Sequence, residues 1–349
     1  MKKIKVGVLG ATGMVGHRFV QLLADHPWFE LTELAASGRS AGRTYAEVVA
    51  GRWKLSADIP SRAAKMTVKE CVPNLDCQVV FSGLDSDVAG PIEDAFADAG
   101  YVVASKAKNH RMEPDVPLLI AEVNPEHLEL IKVQKRHRNR RGFVVTSPNC
   151  STTHMVLALK PLMKLGLSQV TVSTLQALSG AGYPGVASLD ILDNVIPFIG
   201  GEEEKMEKEP LKLLGTLGEG KVENAAVKLS AQCNRVNVND GHTECISVKL
   251  DKKVSLEELI AAFEQFNPLK GLGLPSAPER PIVVRREPDR PQPKLDRDTE
   301  RGMASIVGRI RPCPIFDYKF VVLGHNTIKG AAGEAILDVE LLKAKGYLD

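Results

Sequence analysis

No two cysteines in this chain are spaced as Cys-x-x-Cys, and no run of histidine, cysteine or carboxylate residues has the spacing of a metal site, so no metal is expected. Six cysteines in 349 residues, at 71, 77, 150, 233, 245 and 313, are too few and too scattered for a disulfide framework. A reducing, cytoplasmic setting is the expectation. No apolar run approaches the ~18 residues of a membrane span. Charge of one sign is missing as well: 45 Lys and Arg against 43 Asp and Glu leave a net +2, which calls for neither a nucleic-acid nor a membrane partner. The one basic run, Lys132, Lys135, Arg136, Arg138, Arg140 and Arg141, has no aromatic interleaving. It reads as a solvated helix end or a subunit contact rather than an RNA-binding patch. The start, Met1-Lys2-Lys3-Ile4, is basic, but Gly7, Gly10, Gly13 and Gly16 interrupt the next stretch, which suits a strand and a phosphate loop better than a signal peptide.

What the chain does have is length for two cores and an ordinary globular composition, 25% charged and 44% hydrophobic. Ile4 to Leu9 is a short β-rich run. Gly10-Ala11-Thr12-Gly13-Met14-Val15-Gly16 comes next, and then a segment at helical spacing. Strand, glycine turn and helix in that order is the context a dinucleotide fingerprint needs. Gly10 permits the turn, Gly13 lets the backbone approach a pyrophosphate, and Gly16 lets the helix lie close to the sheet. Gly10, Thr12, Gly13, Met14 and Val15 are therefore candidate cofactor contacts. The second strand, Leu31 to Ala36, ends in Ser37-Gly38-Arg39-Ser40, with no carboxylate for a ribose 2′-hydroxyl; Glu33 lies too early. Ser37, Arg39 and Ser40 suit a 2′-phosphate, which favours NADP.

Strands at Val79–Leu84, Tyr101–Ser105 and Leu118–Ile120, with a helix from Val88 to Ala99, continue a doubly wound parallel sheet. Ligands gather at the carboxyl ends of such strands, which puts Ser82, Leu84, Ser105 and Cys150 on one rim. Cys150 itself stands in Thr146-Ser147-Pro148-Asn149-Cys150-Ser151-Thr152-Thr153-His154, where an apolar strand turns into a helix. Unpaired N–H groups and the partial positive charge of a helix start favour a thiolate, the nucleophilic form of cysteine. A cysteine beside a nicotinamide points to oxidation or reduction through a thioester.

Beyond Cys150 the pattern becomes α+β on a largely antiparallel sheet: Val170–Gln176, Thr243–Leu250 and Tyr318–Leu323 alternate, and Ser255 caps a helix with Glu258 in the capping-box position. The solvent face of that sheet is a candidate subunit interface. Gly180 lies in a flexible loop after Gln176. Asn234-Arg235-Val236 and Asp240-Gly241-His242 read as one hairpin-like region, with Arg235 a fork for a substrate carboxylate and His242 the acid–base partner of Cys150. The last helix, Gly333 to Lys345, is expected to pack on the nucleotide domain. The division is a nucleotide domain of residues 1–149 plus 327–349 and a catalytic and oligomerisation domain of 150–326.

Taken together, GATGMVG at 10–16, SGRSAG at 37–42, SPNCSTT at 147–153, QALSGAGYPG at 176–185, GEEEKM at 201–206, NRV at 234–236, GHTE at 241–244 and HNTIKGAAG at 325–333 resemble the aspartate-β-semialdehyde dehydrogenase family, in its archaeal and fungal branch, over nearly the whole chain. The resemblance implies a Rossmann-like NADP domain and a reversible reaction in lysine, threonine, methionine and isoleucine biosynthesis: aspartyl 4-phosphate is reduced to aspartate semialdehyde with release of phosphate. It implies Cys150 as nucleophile, His242 as acid–base catalyst and Gln176 as the residue orienting the intermediate. Arg235 and Glu203 or Glu204 match segments that bind the substrate's carboxylate and ammonium groups, Asn109 and Arg111 the phosphate segment, and Asn326 a residue near the nicotinamide. A homodimer or homotetramer is expected. Lys106 departs from the family's usual Asn, and Lys208 and Pro210 depart within the charged helix. The alternative is a paralogous reductase on the same scaffold, of the malonyl-CoA or N-acetylglutamyl-phosphate type. The second resembles the chain less, since its cysteine usually comes after Pro-Gly, where this chain has Pro148-Asn149.

Overall fold

The computed structural model describes residues 2–348, which fall into two compact units. The first holds the chain up to Leu119, Glu126–Ser147 and the residues from Ala331 on; the second holds Ile120–Pro125 and Pro148–Gly330. The segment 120–125, expected in the first unit, thus belongs to the second.

The first unit is built on a six-stranded sheet: β1 (Ile4–Leu9), β2 (Phe29–Ala36), β3 (Val68–Glu70), β4 (Val79–Ser82), β5 (Val102–Ser105) and β6 (Phe143–Thr146). The order is β3-β2-β1-β4-β5-β6 and every pairing is parallel. β4, β5 and β6 are short runs of almost entirely buried residues, as expected of strands covered on both faces. Strand order reverses at β1 and β4, so the β1 turn opens at a switch point. Leu118–Ile120 is not a strand. Leu118 makes one isolated bridge to Thr146, and the chain then turns, with Val123 N–H donating to Ile120 O. Pro117 has no N–H to donate to a ladder, and Asn124 Oδ1 accepts the Ile120 N–H instead.

The second unit carries β7 (Leu167–Gln176), a two-stranded ribbon of β8 (Thr216–Leu217) and β9 (Val222–Glu223), β10 (Lys228–Arg235), β11 (His242–Leu250), β12 (Ile282–Val284), β13 (Ser305–Pro312) and β14 (Tyr318–Gly324). The large sheet runs β10-β7-β11-β14-β13-β12. Its three central pairings are antiparallel and its two outer ones, β10–β7 and β12–β13, are parallel. β7 and β11 alternate buried and open residues, as a sheet with one covered face must. The Leu256–Glu264 helix has the expected capping box between Ser255 and Glu258.

β10 and β11 do not form a hairpin: both pair with β7, which lies between them. That arrangement positions the site. β7 and β10 run parallel and end together, with Gln176 opposite Arg235. β11 runs the other way, so its first residue, His242, lies at the same rim, opposite Gly324 at the end of β14.

Candidate active site

Cys150 is the first residue of a helix, Cys150–Leu159, whose N-cap is Asn149. The Asn149 Oδ1 accepts from Ser151 N–H at 2.9 Å and Thr152 N–H at 3.2 Å. This satisfies two helix-start donors and leaves the sulfur at the positive end. Asn149 is held in turn: its Nδ2 donates to Glu202 at 2.8 Å and its backbone N–H to Glu209 at 2.8 Å. The Cys150 sulfur lies 3.2 Å from His242 Nε2. Gly330 packs on the other side. A Cβ there would stand 2.9 Å from that of Cys150, so no larger residue fits without displacing the cysteine. Burial drives the thiols of Cys77 and Cys233 up to about 12, which makes them inert. Cys150, by contrast, is partly open to solvent.

The backbone of Ala177 joins the other groups. Its N–H donates to His242 Nδ1 at 3.0 Å, and its carbonyl accepts from an Arg235 guanidinium nitrogen at 2.7 Å. Gly180 lies over the pair; a Cβ there would come within 3.1 Å of the Arg235 guanidinium and 3.2 Å of the His242 ring. Gln176 is buried beside them, its Nε2 donating to Thr174 Oγ1 at 3.3 Å. Asn326 ties the rim together, with Oδ1 accepting Gly241 N–H at 2.9 Å and Nδ2 donating to Ser179 Oγ at 2.8 Å.

The acidic helix Glu202–Leu213 sorts its carboxylates by helical face. Glu202 is buried beside the Cys150 helix, with Lys205 Nζ donating to it at 2.6 Å. Burial alone would raise its carboxyl, but Lys205 and Asn149 hold it below the usual range. Glu203 and Glu207 point to β10 and accept the N–H groups of Cys233 and Ala231, filling the free edge of that strand. Glu204 is exposed. The carboxylate that holds the Asn149 cap is Glu202, and 100° per residue turns the next two onto other faces.

In the first unit, Gly10 has φ +71, and a Cβ on it would meet the Gly83 carbonyl at 2.7 Å. A Cβ on Gly16 would lie 2.2 Å from Gly10 O, so the Met14–Leu23 helix sits as close to the turn as glycine allows. Above Gly13, by contrast, only Gly10 O comes near, at 3.5 Å. Gly13, Met14 and Val15 thus form an open helix start that fits a pyrophosphate. Thr12 is in the same turn, while Ser82 and Leu84 stand at the end of β4. Ser37, Arg39 and Ser40 form the turn after β2, and Arg39 is exposed. One further group stands there without a local sequence signal: the Glu70 carboxylate at the end of β3, 3.2 Å from where a Cβ on Gly38 would stand. Asn109 donates to Ser86 O and Arg111 to Lys106 O, so both brace the loop after β5. Among the described residues no cluster of three or more His, Cys, Asp or Glu could hold a metal ion.

Family models match both parts of the chain. Residues 5–131 match the semialdehyde dehydrogenase NAD-binding domain and residues 159–329 the semialdehyde dehydrogenase dimerisation domain. The aspartate-semialdehyde dehydrogenase of Archaeoglobus fulgidus is 57% identical over 97% of this chain and 98% of its own. The chain belongs to the aspartate-semialdehyde dehydrogenase family. The Saccharomyces cerevisiae member is 48% identical over 99% of both chains. The crystal structure of the Candida albicans enzyme with NADP, 45% identical, superposes with a TM-score of 0.91 over 99% of both chains.

Within this aspartate-semialdehyde dehydrogenase chain the second unit brings together Cys150, His242, Gln176, Arg235, Gly180 and Asn326. Sequence reading misses Ala177, which acts through its backbone, and Glu202 with Lys205. An amphipathic reading of residues 202–213 signals the latter, since 202, 205, 206 and 209 share one face. It misses Glu244 too. This carboxyl, two residues along β11 from His242, is fully buried with neither oxygen hydrogen-bonded. Burial, and then the charge of Glu202, push it well above the ordinary carboxyl range. The native state therefore keeps a proton that the unfolded chain releases, and wild-type stability falls as pH rises above about 4.5. Glu244→Gln lacks that loss. Its stability advantage should grow by about 1.4 kcal/mol per pH unit until the native carboxyl ionises. Urea midpoints at pH 5 and pH 8 check this; an unchanged difference would show that Glu244 is charged in the fold.

Proposed function

We propose that the chain carries out the reversible, NADP-dependent reductive dephosphorylation of L-aspartyl 4-phosphate to L-aspartate 4-semialdehyde, in the cytoplasm, on the route to lysine, threonine, methionine and isoleucine. The observation that carries the chemistry is the Cys150 sulfur at a helix start, 3.2 Å from His242. The Cys150 thiolate attacks the acyl carbon, and phosphate leaves with the electron pair of its C–O bond, giving a thioester. NADPH, when bound, supplies a hydride to the thioester carbon. The resulting oxyanion collapses to the aldehyde and returns the pair to sulfur. Arg235 holds the α-carboxylate and Glu202 the α-ammonium group. A carboxylate for an ammonium group favours the amino-acid substrate over malonyl-CoA, which has none. Asn109 and Arg111 are assigned to the loop that receives phosphate. Incubating the protein with aspartate semialdehyde, NADP and phosphate tests the reading: NADPH must appear, and only when phosphate is present.

Cofactor choice has its own test. Arg39→Ala should weaken NADP by roughly 1–3 kcal/mol, the scale of a charge-assisted hydrogen bond, and leave NAD almost unchanged. Titration of both cofactors decides. Equal losses would assign the 2′ position to the Glu70 side of the turn, where a ribose hydroxyl is favoured. Substrate charge is tested by Arg235→Lys, which keeps the charge but loses the planar fork and should raise KM for the semialdehyde about tenfold or more. An unchanged KM would place the carboxylate elsewhere.

Assembly as a homodimer is assigned to the outer face of the large sheet. The exposed positions of β7 and β11 on that face are Thr171, Ser173, Leu175 and Cys245, small or apolar, with one charge, Lys249, towards the end of β11.

A further inference from the structure

We infer that Tyr45 is a positioning residue for the cofactor's phosphates: its hydroxyl anchors the Ala11 carbonyl and so aims the N–H of Thr12, on the same peptide, at the pyrophosphate of NADP. Tyr45 acts within the first unit and on the cofactor, so this role is independent of the assignment of aspartate semialdehyde as substrate.

Ala11 and Thr12 are the central residues of the turn closed by Gly13 N–H on Gly10 O at 3.1 Å. Both peptides of Ala11 are tied. Its N–H donates to Ala35 O at 3.0 Å, at the end of β2. Its carbonyl accepts from the Tyr45 hydroxyl at 2.9 Å. A trans peptide is planar, with its C=O and N–H pointing opposite ways. Anchoring the Ala11 carbonyl on Tyr45 therefore turns the Thr12 N–H away from Tyr45. That N–H has no hydrogen-bond partner among the described residues. Thr12 is half-buried and Gly13 beside it is exposed, at the open helix start already described. An unpaired donor there is one that an anion takes up. A bond accepted on the carbonyl also polarises the peptide and strengthens its N–H as a donor.

Tyr45 is itself held in place. It opens the helix Tyr45–Val49, which starts with a capping box between Thr44 and Glu47, and its N–H donates to Met66 O at 2.8 Å. The ring is fully buried and edge-on to His17 and to Trp53, 6.4 Å from each. Burial pushes the phenol far above its ordinary pKa, so the hydroxyl keeps its proton and donates. Ala11 is fully buried as well, so water cannot replace that donor. His17 does not supply the attraction instead. Burial takes its ring down to about 4, which leaves it uncharged at neutral pH.

The test uses Tyr45→Phe, which keeps the ring and removes only the hydroxyl. Two ligands are titrated into the intact protein: NADP, and 2′-AMP, which lacks both bridging phosphates. Losing one hydrogen bond behind the donor should weaken NADP about three- to tenfold. Binding of 2′-AMP should stay within about twofold of wild type. An equal loss for both ligands would make Tyr45 a general prop of the unit and overturn the inference. So would an unchanged NADP affinity, whatever happens to the melting temperature. A second readout needs neither turnover nor affinity. In wild-type protein labelled with 15N-threonine, with Thr12→Ser to assign the signal, saturating NADP should move the Thr12 amide proton downfield, and 2′-AMP should not. The move should shrink in Tyr45→Phe at saturation. A Thr12 amide that NADP leaves in place, or one that moves equally in both proteins, overturns the inference.

Discussion

Cys150→Ala is expected to lose at least about 10⁴-fold in turnover and to bind NADP as the wild type does. The thiolate forms and breaks the only covalent bond to substrate in the proposed scheme, and no neighbouring group can replace it. Cys71, Cys77, Cys233 and Cys245 all have their thiols raised by burial. The loss is chemical and not structural, because the helix start is capped by Asn149 through contacts that do not involve the sulfur. The nucleotide turn at Gly10–Gly16 is formed within the first unit, by Gly83 and the strands around it. Phosphate-dependent NADP reduction and a fluorescence titration of NADPH measure the two halves. Turnover within tenfold of wild type would remove the covalent mechanism; a matching loss of NADP affinity would mean that the substitution had damaged the fold. Cys150→Ser should retain a trace only, since an alkoxide is much harder to form than a thiolate.

The second large effect is on stability. Lys329 and Glu122 form a fully buried ion pair in the second unit, with Nζ at 2.7 Å from both carboxylate oxygens. Lys329→Met leaves a carboxylate without its cation in a site with no access to water, which should cost about 3–5 kcal/mol. Glu122→Leu combined with Lys329→Met removes both charges and should recover most of that loss. Urea unfolding of the second unit, followed in all three proteins, tests the argument. A single Lys329→Met variant as stable as wild type would refute it. Activity should fall along with stability in the single variant. Lys329 lies in the π-helical turn Ile328–Ala332, and the next residue, Gly330, is the one packed against Cys150.

This pair also shows where sequence reading stops. Local signals carry far: the glycine turn, the Asn149 cap, the Ser255 capping box and the alternation of β7 and β11 are written in neighbouring residues. Lys329 and Glu122 are 207 positions apart, and nothing near either one names its partner. The expected hairpin at 234–242 fails for a similar reason. Two strands close in sequence read as neighbours, but β7, from far upstream, has its hydrogen-bonding edges between them. Ala177 is invisible because its contribution is a main-chain amide, common to every residue except proline. Glu202 is legible in principle, but three consecutive glutamates look alike until the helix assigns each a face.

The division of the chain also bears on the order of events at the ribosome. Everything in the second unit has been translated by Gly330, whereas the first unit, begun at the opposite end, still lacks the residues from Ala331 on. Those residues include the Gly333–Ala344 helix, of which all but the last two positions are buried, with Glu340 taking the buried His26 ring at 2.7 Å and Asp338 accepting from Ser147 at 2.9 Å. Until those residues arrive, the nucleotide sheet keeps apolar surface uncovered. Ribosome-stalled chains ending at Gly330 should bind a chaperone at the early half, which is made first and closed last.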